Sequence, residues 1–467
     1  MGGSLTYQYL GFNAGTNLYD YRVTVTIYRY CAAGSSNLPT QINLGVYQNN
    51  VANPTGDKLL ALGTTLPLIS QQNIQPPPAG DSCSFTTNVC VEEGVYQSIV
   101  SLPTNTSGYY FIADRCCRNG NIVNLNNPGA DGQAYYAFAP PTTIVNNSPT
   151  FAIVPVPFIC ANDTASILNQ ANDVDGDLLT YHFVTPYNGV SNQNTPNPTP
   201  TSPYPWPIPT VGYAASFSVA NPFGAGGYAS IDTLTGLTSY YATTQGFYVL
   251  AVEINEYRNG VLIGVTRRDL QIIVIICPTN PAPTQASTSL QTTFNIDEGQ
   301  TLCFNSAFTD PNGDSIFITH TGDIFNALLT NPAATFTDVS NLASASSQFC
   351  WTTSCSQGRT NSYQFSVNAR DNGCPAKITN IVYTINVANT QKPFVINGLD
   401  TICSNSATGI QYNVISTSGY TYNWIINNGV IATGAHAAAI GELYKSRFSI
   451  SKYCCIESIW LPFGYTH

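Results

Sequence analysis

Asp173-Val174-Asp175-Gly176-Asp177-Leu178-Leu179-Thr180-Tyr181-His182-Phe183 is the stretch that decides how this chain folds. A tight acidic turn runs straight into an alternating run. The pattern recurs as Asp310-Pro311-Asn312-Gly313-Asp314, followed by Ser315-Ile316-Phe317-Ile318-Thr319. Alternation with period two marks a half-buried strand, and Gly within an Asx-rich run marks a turn. A repeated turn-plus-strand in a charge-poor chain implies β modules in series rather than an enzyme core.

Composition agrees. At 467 residues the chain exceeds one core, and length alone suggests about three or four domains. Hydrophobic residues make up 43%, enough for packed cores, so the charged fraction of 9% does not signal disorder. Thr, Tyr and other β-branched or aromatic residues favour strands, while 36 Gly and 30 Pro supply turns. Long helical patterns are nearly absent, and the expected fold class is all-β. A net charge of −10 argues against nucleic acid and against anionic membrane surfaces, both of which need clustered Lys and Arg. It leaves metal cations as welcome charged partners. No apolar run reaches the roughly 20 residues of a transmembrane helix.

The opening residues Met1 to Tyr7 carry neither a basic region nor an apolar signal core, and they read straight into a strand. Either the protein is cytosolic or the chain starts after a removed or omitted signal. Fourteen cysteines favour the second. With only four His and no paired CxxC arrangement, they read as disulfides of an oxidising compartment rather than as zinc ligands. Cys160 and Cys277 bracket one expected domain, and Cys303, Cys350, Cys355 and Cys374 lie in the next. Adjacent Cys116 and Cys117 are expected to bond not to each other but to two partners among Cys31, Cys83 and Cys90.

Punctuation divides the chain. Residues 1–145 hold strands at 21–31, 94–102 and 108–113. Asn146-Asn147-Ser148-Pro149 opens a second domain, 146–280, which contains the first acidic turn and closes with a hairpin through Arg258-Asn259-Gly260, since Asn-Gly favours that turn. Within it, the Pro-rich loop 195–209 interleaves Tyr204 and Trp206, a candidate ligand surface or a polyproline-like surface crossing. The linker 278–284, stiffened by three prolines, leads to a third domain, 281–390. A partial module, 391–434, follows. Residues 435–467 then lose the pattern and gain Lys445, Arg447 and Lys452, which is expected of a shifted reading frame or a truncated gene end.

Calcium takes six to eight oxygen ligands, and alternate residues of a tight turn present several carboxylates to one point. Asp173, Asp175 and Asp177 have that spacing, and Asp310, Asn312 and Asp314 repeat it. With three carboxylates, the first copy is the stronger candidate; the alternative is two plain hairpin turns.

Tyr28-Arg29-Tyr30-Cys31, Arg115-Cys116-Cys117-Arg118-Asn119 and the stretch from Glu256 through Gly264 to Gln271 resemble large surface, adhesin-like proteins of gliding, Bacteroidetes-type bacteria exported by the type IX pathway. The region from Tyr422 to Trp424 looks like a PKD-type module. The resemblance spans roughly residues 1–430 and implies tandem Ig-like or cadherin-like β-sandwich domains outside the cell or on its outer surface. It further implies that Glu298 and Asp371 complete the metal site of the third domain, and Glu253 or Glu256 that of the second. The chain departs from the family at Tyr30, where an acidic residue is usual, at residues 435–467, and in showing neither signal peptide nor sorting domain.

No nucleophile elbow, zinc-protease motif, phosphate loop or Cys–His pairing occurs. His182 and His320 read as ordinary strand histidines, and Arg267-Arg268-Asp269 as a sheet-edge ion pair rather than an anion clamp. The expectation is therefore a non-catalytic adhesin or stalk whose partner is an extracellular glycan, surface or protein. The rivals are a carbohydrate-binding accessory region using Tyr204 and Trp206, and a free-standing hydrolase.

Overall fold

The computed structural model describes residues 2–31, 37–74, 89–151, 158–286, 290–337, 340–354 and 357–389. Beyond these it describes the strands Ile396–Asn397, Gln411–Val414, Thr421–Ile426, Ala439–Gly441 and Phe448–Tyr453. The expectations for 391–434 and for the tail otherwise fall outside the described residues. The protein is all-β: no α-helix occurs among the described residues, and none of their helices is long and apolar enough to cross a membrane.

Seven strands come from the first part of the chain: β1 (Gly2–Asn13), β2 (Leu18–Tyr30), β3 (Gln41–Gln48), β4 (Leu59–Ile74), β5 (Val91–Leu102), β6 (Tyr109–Cys116) and β7 (Gly132–Ala139). In β2 the alternation does what period two dictates: Val23, Val25 and Ile27 are buried while Arg22, Thr24 and Thr26 are only half-buried. Each such aliphatic side chain contributes about 1.5–3 kcal/mol by leaving water. They join Leu5, Leu44, Val46, Tyr96 and Phe111 in one core.

The next part supplies β8 (Thr150–Phe151), β9 (Ile159–Cys160), β10 (Thr164–Leu168), β11 (Ala171–Asn172), β12 (Leu178–Val184), β13 (Tyr228–Ile231), β14 (Leu237–Tyr241), β15 (Gly246–Arg258) and β16 (Val261–Ile275). The expected β15–β16 hairpin is present, with Asn259 and Gly260 both at positive φ, 53° and 78°. A three-stranded sheet, β10-β14-β13, covers β12, β15 and β16 across a core of Tyr181, Tyr240, Val252, Ile254, Ile272 and Val274.

These two parts share a sheet. Its order is β1-β2-β5-β4-β3-β6-β7-β16-β15-β12, and β1 also pairs with β16. Along one edge of β16, Val265 and Thr266 meet β7 while Arg268 and Asp269 meet Ser4 and Gly3 of β1. The first core is thus ringed by strands, and the ring closes on a strand from beyond residue 260. A side chain on Gly2 would collide with the Asp269 carbonyl, so glycine permits that approach.

The third part is a sandwich built from β17 (Thr284–Gln285), β18 (Thr293–Asp297), β19 (Thr301–Thr309), β20 (Ile316–Thr321), β21 (Thr335–Phe336), β22 (Ser340–Leu342), β23 (Ser344–Thr352), β24 (Tyr363–Asp371) and β25 (Ile378–Ala388). Its sheets, β17-β19-β23-β21 and β18-β25-β24-β20-β22, enclose Phe308, Phe349, Trp351, Phe365, Tyr383 and Ile385.

Disulfides join Cys31 to Cys90, Cys160 to Cys277 and Cys303 to Cys350. The expectation for Cys116 and Cys117 is overturned: they are bonded to each other. The peptide bond between them is cis and their Cα atoms lie 3.0 Å apart, a spacing that a trans bond does not reach.

Candidate metal centres at the two acidic turns

Both turns are built alike. Gly176 and Gly313 take positive φ, 76° and 87°, which lets the chain fold back so that flanking carboxylates converge. Asp173 accepts the backbone N–H of Asp175 and of Asp177; Asp310 Oδ1 accepts those of Asn312 at 3.1 Å and Asp314 at 2.9 Å. Sheet register then delivers one more carboxylate to each. β15 sets Glu256 opposite Leu179 of β12, and β24 sets Asp371 opposite Ile316 of β20.

At the first turn, carboxylate oxygens of Asp173, Asp175, Asp177 and Glu256 lie within 4.8 Å of one another. Glu256 is fully buried, and neither of its oxygens has a hydrogen-bond partner. Burial first, then the neighbouring Asp173, pushes its carboxyl well above the usual range. Burial likewise raises Asp173 to about 6. Arg258 donates from Nε and Nη2 to Asp177 at 2.7 and 2.6 Å, and Nη2 also reaches Asn146 Oδ1 at 2.8 Å. Asn147 donates its backbone N–H and its amide to Asp175. Glu253, the other carboxylate considered for this site, is engaged elsewhere by Arg267 at 2.7 Å.

At the second turn, Asp310, Asp314 and Asp371 converge within the same 4.8 Å. Asp371 Oδ1 accepts the N–H of Gly373 at 3.0 Å and of Lys377 at 2.8 Å. Asn280, buried in the linker, donates to Asp371 Oδ2 at 3.1 Å and accepts from Asn312 at 3.2 Å. Asn312 also donates to Asp314 at 2.8 Å. Asp310 is 9% exposed, and its Oδ2 is buried without a partner. Burial raises Asp371 to about 6. Glu298 does not join this group; it is buried elsewhere, with Oε1 accepting the Gly358 N–H at 2.8 Å.

The residues fit a hard cation: oxygen-only donors, several of them charged, with buried carboxylate oxygens that no protein group satisfies. Sequence reading missed the linker asparagines and Arg258, which it took for boundary and turn residues. The signal was present, since Asn147 and Asn280 precede their turn partners Asp175 and Asn312 by 28 and 32 residues.

Other candidates are placed differently. Tyr204 is fully buried, its hydroxyl on Asp114 at 3.0 Å and its ring against Tyr47, so the expected ligand-stacking face is closed. Trp206 packs on Tyr110 and Tyr136, with the Lys58 ammonium 4.5 Å from its ring centre. Loop 195–209 is thereby pinned by its aromatics. His182 bonds Thr180, and His320 packs on Phe325 and Phe336. Arg267, Arg268 and Asp269 form neither a clamp nor a pair with one another. Neighbours on a strand face opposite ways, and Asp269 pairs instead with the buried Arg118 at 2.6 Å.

No protein-family model and no curated protein matches the chain. Among solved structures, similar ones are the four N-terminal Ig domains of Dscam1 isoform 6.44, the human desmocollin-1 ectodomain and human CDH23 EC21-23. Their identities are 8%, 11% and 14%, and their TM-scores 0.23, 0.19 and 0.19. The matches cover 88%, 98% and 57% of this chain and 96%, 92% and 82% of those chains. These neighbours are Ig and cadherin-type domains; the all-β description rests on the strand pairings themselves.

Proposed function

We propose that the chain is a non-catalytic segment of an exported protein, displayed on the outer cell surface or secreted, that serves as an adhesin or projecting stalk and is stiffened by calcium. The observation that carries this reading is Asn280. A linker side chain is buried among the acidic groups of the following unit, so a cation held there fixes the linker to that unit. Disulfides support an oxidising compartment. The resemblance of residues 256–271 to surface proteins of gliding bacteria favours a bacterial exterior and type IX export. The division 1–145, 146–280 and 281–390 stays in this reading as three cores, the first two joined through β16, as does a protein or surface ligand.

The test is thermal unfolding of the full chain in chelator and in 1 mM calcium. Extracellular sites with dissociation constants of about 0.1–1 mM give about 0.4–1.4 kcal/mol per site, a rise of a few degrees. Asp310→Asn is expected to erase the rise at the second turn. An unmoved transition at 10 mM calcium would leave disulfides and packing as the only stiffeners.

A further inference from the structure

The two turns repeat one motif, and one of the differences between them places a charge. Glu256 and Asp371 occupy the same place, each opposite the second residue after the last Asp of its turn. Two residues further along stand Arg258 in one copy and Gly373 in the other. The Arg258 guanidinium forks onto Asp177, and its Nη1 and Nη2 tie the Val145 carbonyl and Asn146 to the turn. It thus supplies positive charge and bridges linker to turn, the two tasks a bound cation performs. It does not satisfy Glu256, whose oxygens stay without partners.

In the second copy residue 373 puts no side chain there. A Cβ on Gly373 would collide with the Asn280 side chain and with Asp314 Oδ2, so the linker asparagine takes the space a side chain would fill. Arg370, next to Asp371 in the chain, lays its guanidinium over the Phe317 ring, 5.1 Å from its centre. Lys377, whose backbone N–H caps Asp371, sends its ammonium to Asp163. Three carboxylates therefore face one another, and Asp310 Oδ2 is buried without a partner. Like charges so placed repel unless a cation joins them.

Building on the calcium reading above, we infer that the copies have divided the task. The second turn, Asp310, Asn312, Asp314 and Asp371 with linker Asn280, takes the calcium ion. At the first turn Arg258 is the permanent cation and keeps metal out. The motif has a metal-dependent and a metal-free form within one chain, and residue 258 or 373 chooses between them.

The experiment is calorimetric titration of calcium chloride into the full chain and its variants. The expected result is one ion per wild-type chain, lost in Asp314→Asn and kept in Asp175→Asn. Arg258→Gly, which copies Gly373, is expected to raise the count to two, the added ion disappearing again with Glu256→Gln. Because Arg258→Gly also removes the ties to Val145 and Asn146, Arg258→Gln is titrated beside it, and amide exchange of β12 and β15 checks that the turn is intact. Two ions in the wild type, or one that Asp175→Asn abolishes, would overturn the division while leaving the calcium reading in place. An unchanged count in both intact Arg258 variants would overturn the role given to Arg258. No binding to the wild type would remove both readings together.

Discussion

Asn380 on β25 donates its side-chain amide to the backbone carbonyl of Ser166 on β10 at 2.9 Å, across 214 residues of sequence. Three residues earlier on each chain segment, Lys377 pairs with Asp163 at the same separation. The edge of the β10-β14-β13 sheet therefore lies beside the third sandwich, so the two units touch along a side as well as through their linker.

The two contacts differ in weight. Asn380 is 7% exposed, and removing its amide leaves a carbonyl short of a partner at about 1–3 kcal/mol. Asp163 is 44% exposed at its side chain, so its pairing with Lys377 is worth less than about 1 kcal/mol and weakens with salt. Asn380→Ala is expected to raise amide exchange in β10 and β25 severalfold, and Lys377→Met to change it little. Equal, negligible effects would mean that this seam opens in solution.

Closure of the first ring by β16 predicts the behaviour of fragments. A piece ending at Phe151 carries β1 and β7 with their edges unpaired, whereas one ending at Cys277 carries the strand that covers both. Exposed edges recruit other strands. The shorter fragment is expected to aggregate or to lack a cooperative unfolding transition, and the longer one to be monomeric and cooperative, as judged by size-exclusion chromatography and calorimetry. A well-folded, monomeric short fragment would show the closure to be dispensable.

Asp114 gives a pH signature away from the acidic turns. Burial pushes its carboxyl up to about 6, although the Val190 N–H and the Tyr204 hydroxyl pull the other way. Since the folded value exceeds the unfolded one, the group favours folding below about pH 4. That contribution is lost as pH rises to about 6, at no more than about 1.4 kcal/mol per pH unit. Asp114→Asn should flatten this part of the stability profile in denaturant titrations at pH 3.5 to 7. Parallel profiles for the two proteins would place the Asp114 carboxyl at its ordinary value.

Disulfide pairing is directly checkable. Peptide mapping without reductant is expected to return Cys31 with Cys90, Cys160 with Cys277, Cys303 with Cys350, and Cys116 with Cys117 in one peptide. The Cys160–Cys277 bond spans 117 residues, so replacing both by Ala should cost up to about 4–5 kcal/mol from loop-closure entropy. A loss under about 1 kcal/mol would mean that the unfolded chain gains little freedom there.

The strands were legible because period two is a local property: Val23, Val25 and Ile27, the β15–β16 hairpin and both acidic turns could be read from neighbours in sequence. Spatial partners were not. Choosing Glu256 over Glu253 needed the register of β12 against β15, and Glu298 shares no strand pairing with the second turn. Tyr204 in a Pro-rich loop has a surface composition, yet the loop lies over Tyr47 and Asp114 and buries it. The Cys116–Cys117 bond depends on a peptide geometry that residue spacing does not encode.

The strand that closes the first ring also sets a timetable. β1 to β7 are complete when Ala139 has emerged, but their seam cannot close before Asp269 follows. At about 5–20 residues per second of synthesis, that wait lasts on the order of ten seconds. Throughout it this part of the chain is an unfinished sheet. Whatever delivers the chain to its destination must shelter that sheet from its neighbours until the later segment arrives.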